Sequence, residues 1–100
     1  MPTLARISDG EGDSGVRSEA ISWNEDGSLK EVVDNRPTLG CSMLVGSLAA
    51  GSYSNRDYWL TTEVTEILEE IKNEDVDYVR FKTGNSEYEW WNGIYPKGRK

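Results

Sequence analysis

Residues 76–91 constrain the fold more than any other stretch, because a single strand register there meets two independent demands. With Gly84-Asn85 as a two-residue hairpin loop, Thr83 faces Ser86, and the pairing runs outward as Lys82 with Glu87, Phe81 with Tyr88, Arg80 with Glu89 and Val79 with Trp90. Val79, Phe81, Tyr88 and Trp90 then share one face, and the other face sets two bases against two acids. A slip of one residue would send the rings to the charged side and spoil both arrangements.

The neighbouring sequence extends this sheet. Cys41-Ser42-Met43-Leu44-Val45-Gly46-Ser47-Leu48 is a short apolar run with glycine punctuation, as expected of a buried strand. Tyr58-Trp59-Leu60-Thr61-Thr62 is extended by its aromatic and β-branched content. Residues 62–73 are ambiguous. Val64, Ile67, Leu68 and Ile71 fit the i, i+3, i+4, i+7 pattern of an amphipathic helix with Thr62 as its N-cap, whereas Thr61-Thr62-Glu63-Val64-Thr65 favours a strand. The expected fold is mainly β, a small antiparallel sheet or open barrel, with an α+β fold carrying one short helix at 62–73 as the alternative.

Three segments are expected. Residues 1–40 are acidic and rich in turn formers, with a hairpin from Ala20-Ile21-Ser22-Trp23 through Asn24-Glu25-Asp26-Gly27 to Leu29-Lys30-Glu31-Val32-Val33. Residues 41–93 form the antiparallel core, and 94–100 are a basic tail ending Pro96-Lys97-Gly98-Arg99-Lys100. One hundred residues fit a single domain with a thin core. Four Trp and five Tyr against one Phe mean that most of its bulky apolar groups also carry a polar atom in need of a partner.

Charge and residue types narrow the chemistry. A net charge of −7 repels phosphate backbones, so non-specific nucleic-acid binding is not expected, and a basic protein surface is a better match. Histidine is absent, which removes the commonest general base and metal ligand. Cys41, the only cysteine, stands beside Met43, Leu44 and Val45 and reads as a buried structural thiol. Gly10-Glu11-Gly12-Asp13-Ser14-Gly15 spells a dinucleotide fingerprint, but its two carboxylates would repel a pyrophosphate and no long helix follows. Asp9, Glu11 and Asp13 alternate as calcium ligands do, yet Ser14 replaces the required glycine and Ala20 the bidentate glutamate. No catalytic residue, metal or cofactor is expected. The lack of a membrane-spanning run, and of an apolar stretch in Met1-Pro2-Thr3-Leu4-Ala5-Arg6, gives cytoplasmic residence as the expectation.

Two binding constellations remain. Arg80, Lys82, Thr83, Asn85, Ser86 and Tyr88 around the hairpin, with Tyr53, Asn55 and Arg56 from the loop before residue 58, combine guanidinium, amide and ring in a way that suits a nucleotide-like ligand. Trp90-Trp91 is the other: successive strand residues point to opposite faces, so Trp91 on the outer side would anchor a protein partner or a second copy of the chain.

Thr62-x-Val64-Thr65-x-Ile67, a short acidic bend and Phe81-Lys82-Thr83-x-Asn85-Ser86-x-Tyr88 resemble a pattern of small, mostly uncharacterised bacteriophage and prophage proteins, over roughly the last forty residues. In that pattern the first segment pairs with the second as a strand. The resemblance implies an accessory factor acting in the host cytoplasm, an inhibitor of a bacterial defence component that docks on a host protein or sequesters a nucleotide messenger. A virion structural or assembly protein is the alternative role.

Overall fold

The computed structural model describes residues 2–46 and 58–95, and among these there is no helix. Eight strands run β1 (Thr3–Arg6), β2 (Gly12–Ser14), β3 (Arg17–Trp23), β4 (Leu29–Asp34), β5 (Ser42–Gly46), β6 (Tyr58–Lys72), β7 (Val76–Thr83) and β8 (Glu87–Gly93). They form one open sheet in the order β2-β1-β8-β7-β6-β5-β3-β4, with every pair antiparallel. The fold is therefore mainly β, as the residue pattern predicts.

The β7–β8 register is the one expected from the sequence, with Val79 opposite Trp90, Arg80 opposite Glu89, Phe81 opposite Tyr88 and Lys82 opposite Glu87. Its turn is closed by the Thr83 N–H donating to the Ser86 carbonyl (2.8 Å) and by the Thr83 hydroxyl, which accepts from the Ser86 N–H (3.3 Å). Neither Gly84 nor Asn85 takes a positive φ, so the Thr83 side chain, more than glycine freedom, shapes this bend.

The helix alternative at 62–73 is overturned, because residues 62–72 belong to the fifteen-residue β6. The helix-like spacing comes from three bulges. Thr61 and Thr62 together face Met43, Thr65 is an extra residue between the Val64–Thr83 and Glu66–Lys82 pairs, and Leu68 is an extra residue between the Ile67–Phe81 and Glu69–Arg80 pairs. Each bulge adds one residue to the two-residue strand repeat, so Thr61, Val64 and Ile67 all reach the same face at intervals of three. Threonine suits these sites. The Thr61 hydroxyl accepts from the Met43 N–H (2.9 Å), and the Thr65 hydroxyl donates to the Lys82 carbonyl (3.2 Å), so backbone groups left by the broken ladder find partners.

The bulged strand β6 belongs to both halves of the sheet, and the sheet curls about it until β2 lies against β5 and β6. The concave face holds the core: Leu4, Ala20, Cys41, Met43, Val45, Val64, Val79, Phe81, Tyr88 and Trp90, with Trp59 and Ile67 packed against it. Phe81 and Tyr88 stack at 5.6 Å. Trp90 of β8 reaches across to β3, where its Nε1 donates to Ser18 Oγ (3.0 Å).

Residues 1–40 are integral to this sheet, contributing four of its strands and the core residues Leu4 and Ala20. The β3–β4 hairpin turns through Gly27 at φ +87°, with the Asn24 N–H donating to the Ser28 carbonyl (2.8 Å). Beyond β8, Ile94 and Tyr95 are described, and the tail from residue 96 onward lies outside the described residues.

Candidate functional site

Strand alternation divides the expected site between two faces. Arg80 and Lys82 project from the convex face, Asn85 is exposed in the hairpin loop, and Trp91 is half-buried on the convex face opposite Tyr78. Tyr88 points the other way. It is buried in the concave core, its ring stacked on Phe81, and its hydroxyl accepts from Trp59 Nε1 (3.4 Å). Tyr88 and Arg80 therefore cannot contact one ligand from the same side of the sheet. Tyr53, Asn55 and Arg56 lie outside the described residues.

The convex face of β6, β7 and β8 is ordered in three rows. One row sets Glu66, Lys82 and Glu87 side by side, the next sets Glu69, Arg80 and Glu89, and the last sets Ile71, Tyr78 and Trp91. Four acids thus flank two bases, and the Arg80 guanidinium is held by Glu87. Arg80 is raised above its ordinary range, chiefly by that bond, and remains a cation across the working pH range.

The aromatic row is tied together through Glu89, a feature the residue pattern does not announce. The Tyr78 and Tyr95 hydroxyls both donate to Glu89 Oε2, at 2.6 and 2.8 Å. Tyr95 meets Trp91 edge-on at 4.7 Å and Tyr78 edge-on at 6.2 Å. Burial first, and then the bonded carboxylate, push the Tyr78 hydroxyl well above the tyrosine range, and Tyr95 rises chiefly through its bond to Glu89. Both phenols remain donors, and the Tyr95 ring, anchored through Glu89, packs against Trp91.

Each end of the concave face carries a further polar group of residues. At one end Arg6 lies over the Trp59 ring (5.2 Å to its centroid), with its guanidinium bound to Asp9 at 2.6 Å. At the other end a cleft of about 250 Å³ is lined by Pro2, Val16, Ser18, Asn35, Asp77, Trp90 and Asn92. Arg36 bonds to one of these lining residues, donating from Nε (3.1 Å) and Nη2 (2.9 Å) to Asp77, and stands 3.7 Å from Glu70. Both groups join residues more than forty positions apart, so local sequence patterns give no signal for them.

Among the described residues no cluster of three or more Cys, Asp or Glu is arranged to hold a metal ion, and no helix is long and apolar enough to cross a membrane. Compared with known proteins, the chain matches no protein family, no curated protein and no solved structure.

Proposed function

We propose that the chain is a binding protein that docks on a basic protein surface through the convex face of β6, β7 and β8. The observation that carries this reading is Trp91, packed edge-on against Tyr95 and opposite Tyr78 in the strand register, at the end of a ladder in which four carboxylates flank two bases. A half-exposed, pre-ordered indole with acidic surroundings has the anatomy of an interface anchor, because little side-chain freedom is lost on binding and the surrounding charge selects a basic partner. The same geometry favours a protein over a nucleotide messenger, since the Arg80 guanidinium is engaged by Glu87 and the Tyr88 ring is turned into the core. In the setting that the bacteriophage resemblance implies, the partner is a host factor and docking inhibits it.

Affinity capture from bacterial lysate, run in parallel with wild type, Trp91→Ala and Glu87→Lys/Glu89→Lys, tests this. The expected result is a basic protein that wild type retains at low salt, that raised salt releases, and that both variants lose. Retention of the same protein by Trp91→Ala and the double lysine variant would overturn the reading. So would calorimetric binding of a cyclic nucleotide that disappears in Arg80→Ala.

A further inference from the structure

The two halves of the sheet have different convex faces. Around β7 that face is a charge ladder, but on β4, β3, β5 and the first part of β6 the strand partners bring apolar residues together. Trp23 faces Leu29, Ile21 faces Val32 and Leu44 faces Leu60, and Tyr58 lies one row beyond. Ile21 and Leu44 are almost fully covered, whereas Leu60, Val32 and Leu29 are 40%, 48% and 56% exposed. Trp23 lies among them with Nε1 donating to Ser42 Oγ (2.8 Å), which fixes the polar edge of the indole to the sheet.

We propose that this convex face of β4, β3, β5 and β6 is a second docking surface, for a protein partner that presents an apolar centre rimmed by lysine or arginine. It goes beyond the docking at Trp91 and does not rest on it. Three observations select the occupant. On this face and in its β3–β4 turn stand four acids (Glu19, Glu25, Asp26 and Glu63), since Glu31 and Asp34 pair with Ser22 and Ala20 on the other face, and Arg17 is already bound to Glu19 at 3.1 Å. A basic rim complements that surplus, whereas a second copy of the chain docking face to face would oppose acid to acid. Strand addition at β4 is also disfavoured, because that edge has two register shifts and Lys30 at one of them, devices that blunt an edge against pairing. What remains for a partner is the face, with Trp23 as its rigid anchor.

Two synthetic amphipathic peptides with the same leucine face test this, one rimmed by lysine and one by glutamate, with binding to the full chain measured by calorimetry. The lysine-rimmed peptide is expected to bind and the glutamate-rimmed peptide is not. Val32→Asp and Leu60→Asp should each weaken the lysine-rimmed peptide by about tenfold or more, while Trp91→Ala leaves it unchanged. Both aspartates replace exposed side chains, so folding is retained and is checked by thermal melting. Each also adds negative charge that strengthens long-range attraction, so lost affinity reports the apolar contact itself. No binding of the lysine-rimmed peptide, equal binding of both peptides, or binding unaffected by the aspartates would overturn the proposal. A dimer by light scattering that Val32→Asp converts to monomer would assign the face to a second copy instead. Because Trp91 lies on the other half of the sheet, failure here and failure of docking at Trp91 are separately visible.

Discussion

The Trp90–Ser18 bond joins strands seventy-two residues apart and provides a direct test of the curl. Trp90 is 2% exposed, its Nε1 donates to Ser18 Oγ at 3.0 Å, and that oxygen donates onward to the Asn35 carbonyl at 2.9 Å. Ser18→Ala removes the acceptor. In a dry site, stranding the indole N–H costs up to about 3 kcal/mol, but the cleft lined by both residues admits water, which places the cost nearer ~1 kcal/mol. Trp90→Phe keeps most of the ring and loses the same bond, whereas Trp90→Ala empties the site and costs about 3–5 kcal/mol. At roughly 4 °C per kcal/mol for a domain of this size, the alanine variant should melt about 12–20 °C lower. Urea unfolding of wild type, Ser18→Ala, Trp90→Phe and the double variant closes a cycle whose expected coupling is ~0.5–1.5 kcal/mol. Strict additivity of the two substitutions would mean that β8 and β3 do not face each other across the core, and the curled architecture would fail with it.

Other outcomes follow from the same structure. Gly93 has φ +104°, and an added Cβ would lie 2.3 Å from the Asp75 carbonyl oxygen, so Gly93→Ala should destabilise by about 1–3 kcal/mol in urea unfolding. Asp9 is held below the usual carboxylate range by Arg6 first and then by the Glu11 N–H, and Asp26 by the Ser28 hydroxyl first and then its N–H. Their contribution is complete above the ordinary aspartate range and is lost as pH falls through the depressed values. With no histidine to titrate, the melting temperature should be flat near neutrality and fall only below about pH 4. Burial, and then Glu63 and Glu31, raise the Cys41 thiol, so a disulfide reagent should label it slowly in the native protein and rapidly in urea.

The β7–β8 hairpin was legible to the residue because its loop is short and both faces impose the same register. β6 resisted the same reading for a physical reason: bulges at Thr61-Thr62, Thr65 and Leu68 convert a two-residue repeat into a three-residue one, which imitates a helix. Strands β1 and β2 are only four and three residues long, too short for alternation to show, and Leu4 is their sole fully buried apolar residue. Placing Tyr88 with Arg80 and Lys82 grouped residues by closeness in the chain, although the same hairpin register puts them on opposite faces. The apolar convex face was hidden differently: Trp23, Val32, Leu44 and Leu60 come from four strands, and only the pairing of β3 with both β4 and β5 makes them neighbours.

The curled sheet depends most on β6 being one continuous strand shared by both of its halves. Solution NMR of residues 58–72 measures this, through backbone chemical shifts and cross-strand contacts. The expected result is extended shifts throughout, with contacts from Leu60 to Leu44 on one side and from Ile67 to Phe81 on the other. Helical shifts over 62–73, with contacts between residues three and four apart, would contradict it.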